Sequence, residues 1–219
     1  MLLGACNVVV TKTPLFTAAD EAGAPPLRPG VWLIFTDGDC KFDESRPLLQ
    51  WPECAGGAIV KQGEIAGHDR KADKDVWEHD PFIFAAGDPR IAQILTTENI
   101  SVDASATASG GATASASSSG GGQTQSYAYA AARPTKTDAD GKITAITFWE
   151  VLCGPPPPKN KKGEDTAMGT MKPLPGMEMK PGDAMCTTTS TKALRGAARA
   201  SEAWKEKALN AHWVRDGEK

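Results

Sequence analysis

The chain has 219 residues, 40% of them apolar and 23% charged, which is enough for one complete hydrophobic core. Its formal net charge of -3 provides no basic surplus to neutralise phosphates, which excludes a nucleic-acid-binding protein. No apolar run approaches the ~18–20 residues that a membrane-spanning helix needs.

The chain opens Met1-Leu2-Leu3-Gly4-Ala5-Cys6-Asn7. Within it, Leu3-Gly4-Ala5-Cys6 resembles the lipobox of bacterial lipoproteins, where a signal peptidase cuts before a cysteine whose thiol then carries a lipid. The resemblance covers these four residues. A secretory leader needs a basic start and an apolar stretch of about 7 to 15 residues, and only Met1 to Ala5 precede Cys6 here: either the start of the leader lies upstream of Met1, or the tetrad is not a signal. The resemblance implies a mature chain starting at Cys6, held to a membrane by its lipid and facing the periplasm of a bacterial cell envelope. In that family an Asp after the lipidated cysteine often signals inner-membrane retention, so Asn7 points to the outer membrane.

Five cysteines is an odd number. With Cys6 lipidated, Cys40, Cys54, Cys153 and Cys186 remain, and an oxidising compartment suits two disulfides. Sequence alone leaves the connectivity open. Cys40–Cys54 with Cys153–Cys186 is preferred, because each pair flanks one local excursion of the chain. No spacing is C-x-x-C, so neither a zinc site nor a thioredoxin-type redox motif is indicated.

Pro25, Pro26 and Pro29 leave too few amide donors for a ladder or helix. Residues 1–29 therefore read as leader remnant, lipid site and extended tether, with residues 7–11 as an edge strand at most. Residues 30–219 read as one β-rich domain. It begins with Gly30-Val31-Trp32-Leu33-Ile34-Phe35, a β-branched and aromatic run bounded by turn residues. Gly30-x-Trp32 is also similar to the lipocalin signature, which implies a tryptophan plugging the closed end of a small barrel; the plainer reading is a core anchor on a strand. Between Cys40 and Cys54 a short loop with Trp51 buried is expected.

Strands follow at residues 57–60 and around Ile65. The polar stretch 67–80 carries His68, Asp69, Asp73, Asp75, Glu78, His79 and Asp80. It reads as a solvated loop, with a metal site as the alternative. Pro81-Phe82-Ile83-Phe84-Ala85-Ala86 is strand-like. Asp88 and Pro89 could start a helix, but Ile91, Gln93 and Leu95 alternate, which favours a hairpin. Residues 101–126, nearly pure Ala, Ser, Gly and Thr, bury too little apolar surface to offset their ordering entropy and read as a disordered insertion.

Residues 127–131 form a strand, Asp138 to Lys142 a turn, and residues 143–152 the longest strand, so that Asp140-Gly141 joins a hairpin. Residues 154–185 form a loop rich in Pro and Met. Its Met168, Met171, Met177, Met179 and Met185 are soft ligands suited to Cu(I). Met168-x-x-Met171 and Met177-x-Met179 resemble the Met motifs of periplasmic copper-handling proteins, although no histidine accompanies them. The alternative is that these methionines pack. Ser190 or Thr191 caps a helix whose Leu194, Ala197, Ala198, Ser201, Trp204 and Ala208 fall at helical spacing. Trp204 is its expected anchor, with Arg199–Glu202 and Glu202–Lys205 as surface pairs. Trp213-Val214-Arg215 reads as a last strand.

The expected fold class is α+β: mainly an antiparallel β sheet or small barrel with one C-terminal helix packed on it. No serine stands in a G-x-S-x-G elbow, and His68, His79 and His212 belong to no nucleophile motif. The expected function is a non-catalytic cell-envelope lipoprotein, a disulfide-stabilised binding or structural module. Its partners would be the membrane and an envelope protein or small ligand. Copper handling through Met168, Met171, Met177 and Met179 is the alternative, with copper as its cofactor.

Overall fold

A computed structural model describes residues 7–69, 76–99, 123–156, 172–180, 185–204 and 209–217. The described strands are β1 (Val8–Thr11), β2 (Gly30–Thr36), β3 (Ala55–Lys61), β4 (Glu64–Asp69) and β5 (Val76–Ala85), followed by β6 (Arg90–Asn99), β7 (Gln123–Thr137) and β8 (Ile143–Glu150). The short β9 (Met185–Cys186), the helix α1 (Thr191–Trp204) and β10 (Leu209–Arg215) complete the order. Strands β2 to β8 pair antiparallel in sequence order; β10 pairs with β8 and then with β2, closing an eight-stranded barrel. Closure removes the unpaired edges that would otherwise template aggregation.

Alternation decides what faces inward. Trp32 on β2, Val60 on β3, Phe82 and Phe84 on β5, Ala92 on β6, Ala132 on β7 and Ala211 on β10 form one buried cluster, the barrel interior. Their sequence neighbours point outward into two further layers. Under α1, Ile91, Tyr129, Ala131 and Trp149 pack with Leu194, Ala197 and Ala198. On another face, Val31, Leu33 and Ala55 are covered by Leu48 and Trp51 from the loop that precedes β3. Strands buried on both sides explain why the apolar runs of β2 and β5 are nearly continuous.

Two glycines permit close approaches. A Cβ on Gly57 would lie 2.5 Å from Leu48 and 2.6 Å from Trp51, so only a bare backbone lets that loop lie on the barrel. Gly30 has φ +130° and a Cβ there would strike the Arg215 carbonyl at 2.2 Å. The Gly30-x-Trp32 pattern therefore has a steric basis: the glycine admits β10, and the tryptophan two residues on fills the interior, donating its Nε1–H to the Arg28 carbonyl at 2.8 Å.

The expected tether is instead part of the body. β1 pairs antiparallel with β7 and parallel with β9, and Val9 and Phe16 are almost fully buried. The buried Gln93 amide substitutes for a neighbouring strand: its oxygen accepts from the Leu15 and Phe16 amides and its nitrogen donates to the Phe16 carbonyl. Glu21, at the end of a 3-10 turn over Ala18–Glu21, accepts the Phe84 amide at 2.7 Å. The prolines mattered less than expected because the Gln93 and Arg90 side chains of β6, which local sequence does not reveal, satisfy this segment's backbone.

The polar stretch 67–80 contributes the end of β4 and the start of β5, which pair with each other. Residues 70–75 lie outside the described residues, as does most of the expected insertion at 101–126; residues 123–126 are the start of β7, paired with β6. Ser190 caps α1, its hydroxyl accepting the Ala193 amide. Trp204 is only half-buried. The helix is anchored by Trp149, whose Nε1–H donates to the Ala198 carbonyl at 2.9 Å, and by Ser201, whose hydroxyl accepts the Leu152 amide and donates to the Ala197 carbonyl. Glu202 forms a bidentate pair with Arg133 of β7, both contacts 2.9 Å; Lys205, one of its expected helical partners, lies outside the described residues. With Asp88 on the other side, that pair holds the Arg133 guanidinium above its ordinary range.

Candidate functional site

Both disulfides are formed. Cys40–Cys54 closes the loop over β2 and β3 with its Cα atoms 5.6 Å apart. Cys153–Cys186 joins the end of β8 to β9 beneath α1, with a Cα separation of 5.8 Å and both residues buried. Cys6 lies outside the described residues. Asn7 beside it is buried, has φ +114°, and donates its side-chain amide to the Gly154 carbonyl at 3.0 Å.

Met168 and Met171 lie outside the described residues. Met177 is buried in the layer under α1 and Met179 is packed against the same layer. These two thioethers serve as apolar packing groups here. Met185 is exposed.

Of the histidines, His79 hydrogen-bonds Glu64 at 2.9 Å on the barrel exterior. That bond, followed by the one from Lys61, lowers the Glu64 carboxyl from its ordinary value. His212 sits 3.5 Å from Glu44. Among the described residues no three His, Cys, Asp or Glu side chains converge as metal ligands.

The two ends of the barrel differ. At one end residues 25–28 cross the interior: Leu27 packs on the interior cluster and Arg90, buried at 5% exposure, donates to the Pro25 and Phe84 carbonyls while lying over the Phe84 ring. At the other end the inward-facing positions of β5 and β8 become acidic, with Glu78, Asp80 and Glu150 continuing the alternation of Phe82, Phe84 and Phe148. Burial raises the Glu150 carboxyl; burial and then the Glu78 charge raise that of Asp80.

A cleft of about 580 Å³ lies at the seam where β10 leaves β8. Their ladder runs only from Leu209↔Phe148 to His212↔Ala145. Beyond it, residues 26–28 take over the pairing: the Ile143 amide donates to the Pro26 carbonyl and the Arg28 amide to the Ile143 carbonyl, both at 2.8 Å. The wedge holds the seam apart. The residues around the cleft include the basic Arg28, Lys136 and His212, the polar Thr144 and Asn210, and Ile146 and Trp213, which also pack on the barrel interior. Arg28 lies 3.8 Å from the centroid of the Trp213 ring. Sequence reading missed this cleft, because its basic groups come from positions 28, 136 and 212 and only barrel closure brings them together.

By fold the protein is a closed, disulfide-stapled antiparallel β-barrel with the helix α1 packed on its outer face. Comparison with protein-family models, curated proteins and solved structures gives no match.

Proposed function

We propose that this is a non-catalytic binding module of the bacterial cell envelope, anchored by a lipid on Cys6, with the seam cleft as its ligand site. The observation that carries the anchor and compartment is the fate of the cysteines. Four of the five are consumed in two bridges, the chemistry of an oxidising compartment, and the one left over stands in the lipobox-like tetrad. A binding role is supported by a rigid barrel with a mixed basic and apolar cleft of the size that holds small molecules. Because Asn7 is built into the body, no spacer follows the anchor, and the barrel rests close to the outer-membrane surface on its β1 side.

Mass spectrometry of the protein expressed in a bacterium with its native upstream sequence tests the anchor. The expected result is an N-terminal peptide beginning at Cys6 with a diacylglyceryl mass. Recovery of Cys6 unmodified and internal to the chain would falsify the anchored reading.

A further inference from the structure

The cleft's chemistry specifies its occupant. We propose that it takes a small organic anion, a carboxylate or phosphate head on an apolar or aromatic body. This ligand class rests on the binding role proposed above and deepens it. Arg28, Lys136 and His212 are among the residues around the cleft, and no Asp or Glu is. The Trp213 ring, against which Arg28 lies, supplies the aromatic surface beside this charge.

Arg28 already shows how an anion is held. Its guanidinium is fixed from one side by the Trp213 ring and by Asp138, whose largely buried carboxylate receives Nη1 at 3.3 Å. Nη2 meets both oxygens of Asp216 at 3.4 Å, at the long limit of a hydrogen bond, and the Asp216 side chain is 78% exposed. An exposed carboxylate held this loosely is worth little. It occupies the position that a ligand carboxylate or phosphate would take with shorter contacts. Asp216 is thus a displaceable stand-in for the ligand head, and Glu44, beside His212, is the second carboxylate the anion competes with. Lys136, exposed on β7, adds a further charge at the cleft.

The test is calorimetric titration of the full chain with four probes of one shape: 1-naphthoate, 1-naphthyl phosphate, 1-naphthylmethanol and 1-naphthylmethylamine. At least one of the two anions is expected to bind at least tenfold more tightly than the neutral alcohol, and the amine more weakly still. The tighter anion identifies the head group. K136Q, which removes an exposed charge, is expected to weaken anion binding several-fold with an unchanged melting temperature. D216N, by removing the internal competitor, is expected to strengthen it. Equal affinity for alcohol and anions would overturn the anionic class while leaving a binding cleft. Failure of all four probes, or a D216N variant that binds anions no better, would overturn the proposal. Neither result touches the lipid on Cys6, which mass spectrometry reads separately.

Discussion

Arg90 shows what a single side chain does in this barrel. It is buried, held by two backbone carbonyls and stacked on Phe84, and burial lowers its ionisation from the ordinary value. R90M would leave the Pro25 and Phe84 carbonyls without that donor, at a cost of about 2–3 kcal/mol. Urea denaturation should show this loss, with R90K recovering only part of it. Glu150 works in the opposite sense. Its carboxyl is raised by burial, so the folded state binds the proton more tightly than the unfolded chain. The resulting stability is fully present below the unfolded pKa and is lost as pH rises through the folded one. E150Q is therefore expected to raise the urea midpoint at pH 7.5 and to leave it unchanged at pH 3. A midpoint lowered at pH 7.5 would show that the charged carboxylate is favourably held. None of this was visible in the residues alone: Arg90 follows a turn-like Gly-Asp-Pro, and Glu150 ends a strand as any polar residue might.

At the scale of elements, the loop between Cys40 and Cys54 is a lid packed on the barrel exterior. Phe42 and Trp51 sit 5.0 Å apart, Trp51 donates to the Arg46 carbonyl, and Arg215 of β10 reaches the carbonyls of Glu44 and Arg46. Replacing both cysteines by alanine should cost about 3 kcal/mol if the bridge acts mainly on unfolded-chain entropy. Those packing contacts should keep the loop in place, so hydrogen exchange at residues 42–51 should remain slow. Fast exchange there would mean that the disulfide alone holds the lid. This loop, the hairpin through Asp140-Gly141 and the stripe of α1 were legible, because each is a local pattern of turn residues, cysteines or helical spacing. The partners of α1 were not. Glu202 meets the planar bidentate fork of Arg133, which comes from a distant strand that helical spacing does not point to.

For the whole molecule, the decisive matter is where the folded body begins. A chain starting at Gly30 would lack Val9 and Phe16, whose burial is worth about 1.5–3 kcal/mol each, against a total stability on the order of 5–15 kcal/mol. It would also lack Leu27 and the wedge that shapes the cleft. Residues 30–219 alone are expected to show no cooperative thermal transition by circular dichroism, whereas residues 7–219 melt in one step. A cooperative melt of the shorter chain would restore a separate tether. The sequence by itself determined the strand-rich class, the C-terminal helix and the preferred cysteine pairing, because alternation, helical period and short cysteine loops are written locally. Only the tertiary structure decided that the sheet closes, that residues 7–29 belong inside the body, and that Arg28, Lys136 and His212 share one cleft. Those outcomes depend on contacts between residues more than a hundred positions apart, such as Arg28 with Asp138 and Asp216, and no local pattern encodes which distant backbone groups a segment will satisfy.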